Sequence, residues 1–260
     1  MEFRLENRRE KIIEEIDQVG EINITELSKK MNVSQMTIRR DLKKLEEEGA
    51  LIRKYKGAIS VNQLNTEDTL KLRRLQNENE KTIIAKYAEE LIENEDIIML
   101  DASTTALAIC KYIQDKKLTV VTNSISIATA LSAAEKVNVI LVGGNLRKSA
   151  LSLVGPYALE GYKKLNITKA FISGKALSFS DGLTDVNIFE IESKQAAISR
   201  AKEINVLIDH TKLNKVSLFN ICEYNKINRI IIDGLKEFSL EEEETINKFR
   251  HNGIEVIIAK

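Results

Sequence analysis

Tryptophan is absent from this chain of 260 residues, proline occurs once, and cysteine and histidine occur twice each. So few cysteines exclude a disulfide framework; Cys110 and Cys222 each stand beside apolar residues, which suits buried thiols. His210 and His251 form no cluster with the cysteines at metal-ligand spacing, so neither a zinc site nor any other cofactor is expected. Net charge is missing as well, 39 basic residues facing 39 acidic ones. That balance excludes a protein that coats nucleic acid by overall charge and leaves room only for a local basic element. No apolar run approaches the roughly eighteen residues of a membrane span, and residues 1–10 are charged throughout, unlike an export signal. The expectation is a cytoplasmic protein without membrane contact. Internal repeats and low-complexity tracts are absent too.

What is present is the composition of a folded globular chain, 43% hydrophobic and 30% charged, at a length that favours two domains. From 7 to 59 the pattern is one of short helices, and from 96 onward apolar strands alternate with amphipathic helices. The residues 62–80 between them are polar and charged, without the apolar run of a core strand. The expected organisation is a first domain over 1–60, a connector over 61–80 that is partly helical, and a second domain over 81–260.

In the first domain a helix over 7–19 places Ile12, Ile13, Ile16 and Val19 on one face and stops at Gly20. Thr25 is suited to cap a second helix over 26–31, which buries Leu27 and Met31. After the turn Asn32-Val33-Ser34, Ser34 caps a third helix over 35–48, with Ile38, Leu42 and Leu45 on its inner face. Three short helices with a tight turn between the last two make the plan of a DNA-binding helix-turn-helix. The outward side chains of the third helix are Gln35, Thr37, Arg39, Arg40 and Lys43, hydrogen-bonding and cationic groups near the half that enters a major groove. Glu46, Glu47 and Glu48 lie at the far end, away from phosphates. The stretch 50–58, with Arg53, Lys54 and Lys56, reads as two short strands forming a wing. A helical interaction domain with a solvated charge face is the alternative, but turn, cap, cations and wing agree on DNA.

The run 33–42, Val-Ser-Gln-Met-Thr-Ile-Arg-Arg-Asp-Leu, followed by Leu45-Glu46 and the segment 49–58, resembles the signature of the DeoR family of bacterial sugar-metabolism repressors. Where that family usually has two glycines before Ala58, this chain has Lys56-Gly57. Asp41 reads as structural, orienting a neighbouring arginine, rather than as a base reader.

In the second domain strands are expected over 97–100, 118–121, 137–142, 170–172, 206–208, 229–232 and 254–258. Most are continuous apolar runs, as in parallel strands covered on both faces. Helices fit over 104–114, 125–134, 189–201 and 240–251, giving an α/β, doubly wound, mainly parallel sheet. The first strand ends in Asp101 with Ser103, Thr104 and Thr105 directly before a helix. Backbone N–H groups and hydroxyls there suit an anion such as phosphate, though ordinary capping explains the same residues. Thr122, Asn123 and Ser124 follow the second strand, and Gly143 and Gly144, with Arg147, follow the third. Ligands of open α/β sheets bind beyond such strand ends. The two glycines permit close approach to a ligand or simply a tight turn. Asp181 and Gly182 form another polar loop, and of Glu192 and Lys194, two apart on a helix, only one can face the site; Lys194 is favoured. Asp209 and Lys212 are a weaker case of the same kind.

These loops also resemble the DeoR-type sensor domain, so the resemblance spans nearly the whole chain. It implies a sensor similar in fold to ribose-5-phosphate isomerase, with phosphorylated sugars or their breakdown products as effectors. Many members have glycine where Ser103 stands, and 172–176 departs from the usual glycine-rich form. The partners expected are operator DNA, a phosphorylated sugar or related metabolite, and further copies of the chain in a homodimer or homotetramer. The rival reading is a sugar-phosphate isomerase-like enzyme fused to a DNA-binding domain, with Asp181 or Glu192 as general base and Lys194 steadying an enediolate. The fused winged helix, which an isomerase does not need, argues against it. A third reading is a DNA-binding structural protein with an inert second domain.

Overall fold

The computed structural model describes residues 2–19, 21–47, 51–54, 56–60, 70 and 73–260. The chain divides into two compact units, Met1–Thr69 and Leu70–Lys260.

The first unit runs α1 (Glu2–Val19), β1 (Glu21–Asn23), α2 (Ile24–Lys30), α3 (Gln35–Glu47), β2 (Leu51–Lys54) and β3 (Gly57–Ser60). Its core is formed by Ile12, Ile16, Leu27, Ile38, Leu42 and Leu45, all buried. At about 1.5–3 kcal/mol for each fully buried aliphatic side chain, this small core is what holds three short helices together. α1 starts at Glu2 rather than at 7, and Val19, expected inside, is 59% exposed. It occupies the terminal turn, beyond the core that Ile12 and Ile16 enter.

The cap of α2 is Asn23 rather than Thr25. Asn23 has the extended backbone an N-cap needs (φ −102, ψ 133), and its Oδ1 accepts the N–H of Thr25 at 2.8 Å. Ser34 caps α3 as expected, its Oγ accepting the N–H of Thr37 at 3.1 Å. The wing is a three-stranded antiparallel sheet in the order β1-β3-β2, with β1 an additional strand. Gly57 is obligatory in it, because a Cβ there would stand 1.9 Å from the carbonyl oxygen of Ile22. Glu48, Gly49, Ala50, Tyr55 and 61–69 lie outside the described residues, and with them the end of the expected third helix, the start of the wing and much of the connector.

The second unit is built on seven parallel strands: β4 (Ile97–Leu100), β5 (Leu118–Thr122), β6 (Val137–Leu141), β9 (Ile167–Ile172), β12 (Ala201–Ile208), β14 (Arg229–Asp233) and β15 (Glu255–Ala259). Their order is β15-β14-β12-β9-β4-β5-β6. Helices cover both faces. α4 (Glu78–Glu90), α5 (Thr104–Ile109) and α6 (Ile125–Leu131) pack on one around Ile84, Ile98, Ile109 and Val120. On the other, α7 (Pro156–Lys163), α8 (Ile188–Ile198) and α9 (Leu240–His251) pack around Tyr162, Ile191, Val206 and Phe249. This is the doubly wound α/β sheet that continuous apolar runs imply.

Three helices are shorter than expected. α5 ends at Ile109 rather than 114, where the ladder tightens to bonds from Cys110 to Leu107 and from Tyr112 to Ile109. α6 ends at Leu131 rather than 134, and α8 ends at Ile198 because Ala201 opens β12. α4, which begins at Glu78, draws 78–80 out of the expected connector. The small antiparallel additions were not expected: the hairpin β7 (Asn145–Arg147) with β8 (Ser152–Val154), and the sheet β10 (Ala176–Ser178), β11 (Gly182–Asp185), β13 (Phe219–Cys222). Both cysteines are buried free thiols, each pushed up to about 12 by burial. Among the described residues no helix is long and apolar enough to cross a membrane.

Candidate functional site

α3 presents two opposite faces. Ile38, Leu42 and Leu45 are buried, while Gln35, Arg39, Arg40 and Lys43 are exposed and Thr37 half-buried. Asp41 belongs to the inner face at 1% exposure, where it accepts from Arg8 Nε at 2.6 Å and lies 3.6 Å from Arg9 Nε. Its role is the structural one expected, but its arginines come from α1 and not from its neighbours. Glu46 turns toward the wing: its Oε1 accepts the N–H of Arg53 at 3.0 Å and its Oε2 stands 3.7 Å from Arg53 Nε. An acid at this end therefore fastens β2 to α3 and leaves the N-terminal half of the helix without it. Lys54 pairs with Glu21 at 3.5 Å. Arg39, Glu46, Arg53 and Lys54 line a cleft of about 370 Å³ between helix and wing.

The second site grows out of the sheet order. From β4 the chain runs β5, β6 to one side and returns to place β9 on the other, so the strand order reverses between β4 and β9. Such a switch point opens a crevice at the carboxyl ends of the strands. The first residues beyond those ends are Asp101 and Ser173. Asp101 accepts the N–H of Ser103 at 3.2 Å and of Ser173 at 2.9 Å, and its carboxylate lies 3.1 Å from Lys194 Nζ. Lys194, on the inner side of α8, also donates to the carbonyl of Ser173 and lies 3.4 Å from Asp185. Burial works against its charge, yet Asp101, Asp185 and Glu190 more than offset that and hold the ammonium above its ordinary value. Lys194, not the half-buried Glu192, is the one of the pair that faces inward.

Further cations converge there. Lys212 donates to Ser173 Oγ at 3.2 Å and stands 3.6 Å from Asp209; burial lowers it, Asp209 opposes, and Arg73 and Lys194 add repulsion. Lys81, buried, donates to the carbonyls of Arg73 and Gln76. Burial and then the charge of Lys212 bring it down to about 8. Arg73 keeps an exposed surface, but the atoms crowded around its guanidinium lower it, with Asp185, Glu190 and Asp101 opposing. Asn77 Nδ2 donates to Asp209 Oδ1 at 3.1 Å, tying the start of α4 to the end of β12. Arg147, on β7, bonds Glu190 at 3.1 Å, and Glu190 also accepts from Ser152.

Thr104 is half-buried, and Ser103 caps α5, accepting the N–H of Ala106 at 3.0 Å; Thr105 is buried. Because α5 has only six residues, its dipole adds less than the charges: a helix end contributes about 0.3–1 kcal/mol, a hydrogen bond to a charged group about 1.5–3.

Other expected residues serve the fold. Thr122 donates to the carbonyl of Leu100 at 2.7 Å and accepts from Ser124 N; Asn123 donates to the carbonyl of Leu153; Ser124 caps α6. Gly144, at φ +152, lets β8 approach, since a Cβ would meet the Val154 carbonyl oxygen at 2.6 Å; Gly143 faces open space. Asp181 is exposed in the β10–β11 turn, bonded to Ser178 and Ser180, whose hydroxyls lower its pKa. Gly182, at φ +67, completes that turn.

The sequence reading missed Arg73, Lys81, Ser173, Asp185 and Glu190 as members of the cluster. It missed Tyr162 too, whose buried hydroxyl has no hydrogen-bond partner among the described residues and whose pKa is raised by burial and by the charges of Asp101 and Glu190.

Residues 8–64 match the DeoR-like helix-turn-helix domain and residues 76–234 match the DeoR C terminal sensor domain. Among curated relatives, the HTH-type transcriptional regulator GolR of Listeria innocua is 34% identical over 97% of this chain and 98% of its own length. The HTH-type transcriptional repressor GlcR of Bacillus subtilis is 32% identical over 98% of this chain and 96% of its own. IolR of the same organism is 34% identical over 82% and 84%. Among solved structures, a D-ribose-5-phosphate isomerase in complex with phospho-erythronic acid aligns at 16% identity and a TM-score of 0.39, over 58% of this chain and 55% of that one. With a sensor model covering more than half of its residues and relatives above 30% identity along nearly its whole length, the chain belongs to the DeoR family of DNA-binding transcriptional regulators.

Proposed function

We propose that the chain represses genes of sugar metabolism by holding operator DNA with α3 and the wing, and that a phosphorylated sugar or related metabolite bound at the β4/β9 crevice releases it. The observation that carries this reading is the Lys194 ammonium, held charged beside Asp101, with Lys81, Lys212 and Arg73 all pushed down around it. Burial lowers each of these three cations first and neighbouring cations add to it, and an anion that enters offsets both. A phosphate group has the charge and the acceptor oxygens to use it. Ser103, Thr104 and Thr105 border the same cluster and supply hydroxyls. The relative called a repressor, GlcR, is consistent with the direction of control.

On the DNA side, Gln35, Thr37, Arg39, Arg40 and Lys43 are assigned to the major groove, and Arg53, Lys54 and Lys56 of the wing to flanking phosphates. Ser34 positions the first turn. Two copies, as a homodimer or homotetramer, set two such helices at the spacing of operator half-sites. Turnover of the effector forms no part of this function. The general base weighed for an isomerase, Asp181, bonds within its own turn, and Glu192 lies on the other side of α8 from Lys194.

The test is operator binding by the full chain, read by fluorescence anisotropy while sugar phosphates are added singly, with thermal shift identifying those that bind. A sugar phosphate that stabilises the chain and weakens operator binding is expected, and Lys194→Met should abolish both effects while DNA binding persists. If no sugar phosphate shifts the melting temperature, or if Lys194→Met responds like the wild type, the assignment of the crevice is wrong.

A further inference from the structure

Met36 is 68% exposed, and of the side chains described in the first unit only it and Val19, at the end of α1, are large, apolar and open to solvent. A lone exposed apolar side chain is ordinary, but the place of this one is not. Ile38 and Leu45, the buried residues two and nine positions further along α3, lie half a turn out of phase with it at about 3.6 residues per turn. Met36 therefore stands at the middle of the outward face, and Arg40 and Lys43, four and seven positions on and both exposed, continue the same line. Its neighbours on that face are engaged to the sides: Gln35 Nε2 donates to Thr25 Oγ1 of α2 at 3.3 Å, and Arg39 lines the cleft beside the wing. The first turn that carries Met36 is fixed by the Ser34 cap, whose Oγ takes the N–H of Thr37 and lies 2.9 Å from the Thr37 hydroxyl.

We propose that Met36 is a specificity-determining residue that reads the 5-methyl group of one thymine beneath α3. In the major groove the base edges show hydrogen-bonding groups, and the thymine methyl is the one apolar group among them. A recognition helix enters that groove by its N-terminal residues, and Met36 is the second residue of α3. Its thioether has no donor and only a weak acceptor, so it gains nothing from a phosphate. Set against any other base edge, it displaces water from donors and acceptors that it cannot satisfy. Against a methyl it buries apolar surface on both sides, and its unbranched stem adapts to the distance. Cations that hold phosphates fix the position of the helix without reading sequence, so an apolar group in their midst adds discrimination that they do not supply. The inference rests on the assignment of α3 to the major groove and names a base that this helix selects.

Duplexes enriched from a random pool by the effector-free full chain supply the operator for the test. Each thymine in it is then replaced in turn by deoxyuridine, which lacks the methyl and keeps every hydrogen-bonding group. At one position the wild type should bind the substituted duplex about three- to fivefold more weakly, the worth of one buried methyl group. Met36→Ala, which keeps a good helix former on an exposed position, should bind the thymine and deoxyuridine duplexes alike at that position and respond as the wild type does elsewhere. Met36→Leu should regain the discrimination. A wild type indifferent to deoxyuridine at every position, or a loss that persists in Met36→Ala, overturns the inference, and Arg40→Ala then shows how far the failure reaches. If Arg40→Ala weakens binding, α3 remains in the groove and the thymine contact alone is wrong. If Arg40→Ala binds like the wild type, or if the wild type enriches no sequence at all, the groove assignment falls with it.

Discussion

The two units handle positive charge in opposite ways. On α3, Arg39, Arg40 and Lys43 are exposed while Asp41 is turned inward, bonded by Arg8 and with Arg9 Nε 3.6 Å away. In the second unit Lys194 and Lys81 are buried and Lys212 half-buried, each within reach of carboxylates or carbonyls that fix its direction. A duplex is a long array of phosphates surrounded by counterions, and exposed cations gain by displacing those counterions at little desolvation cost. A small anion offers one charged group. It repays a buried cation only when the geometry is fixed beforehand. The contrast therefore supports the proposed assignment of a long polyanion to the first unit and a compact one to the second.

The largest effect should come from the buried side. Lys194→Met leaves Asp101 buried with only two N–H donors, and removal of one partner from such a pair costs about 3–5 kcal/mol; thermal unfolding of the second unit should fall accordingly. Asp101→Asn with Lys194→Met, which removes both charges, should recover much of that loss and still not bind effector. If the double variant is no more stable than the single, the pair is not the coupled unit described. On the exposed side, Arg39→Ala and Arg40→Ala should each weaken operator binding by about 1–3 kcal/mol where the contact is to a base, or reduce the salt slope by about one where it is to a phosphate. Stability should not change, and a Tm lowered by either would remove the distinction between the units. Ser34→Ala, which deletes a cap, should cost about 0.5–2 kcal/mol of first-unit stability, detectable by denaturant titration.

Sequence pattern carried most of this architecture, for reasons that follow from the kinds of element involved. The seven parallel strands are readable because most hold an apolar run covered on both faces, Ile97–Leu100 and the three isoleucines inside Arg229–Asp233 among them. β10 and β11 are nearly as buried, but each has only three or four residues and neither alternates, so no periodicity marks them. α7 was missed although it carries the one proline of the chain, Pro156, at its first position, a start signal available in sequence. Of the cluster, Asp101 was legible because it directly follows an apolar strand, and Lys194 because a spacing of two on a helix sets it against Glu192. Arg73 and Lys81 were not, since in sequence they are two cations in a polar stretch and only the return of β12 beside α4 brings Asp209 and Lys212 to them. Ser173 is an unremarkable serine until its N–H, carbonyl and hydroxyl are seen to meet Asp101, Lys194 and Lys212.

The smallest predicted effect discriminates most finely between a binding crevice and a merely charged fold. Lys81 is lowered to about 8 by burial and by Lys212, from an ordinary value of 10.5. Between those values the unfolded chain holds the proton and the folded one does not. Stability therefore rises as pH increases across that window, and the cost of the buried charge is fully present below about 8. An entering phosphate reverses the balance, because its negative charge favours the ammonium and lifts the pKa. Effector binding near pH 8 should then take up protons, seen as a dependence of the calorimetric enthalpy on the ionisation enthalpy of the buffer, and affinity should weaken from pH 7 to 9. In Lys81→Met the proton uptake should vanish while the thiols, near 12, remain silent in this range. Proton uptake that survives in Lys81→Met would move the titrating group elsewhere, and an affinity constant from pH 7 to 9 would mean that the anion never meets this side of the cluster.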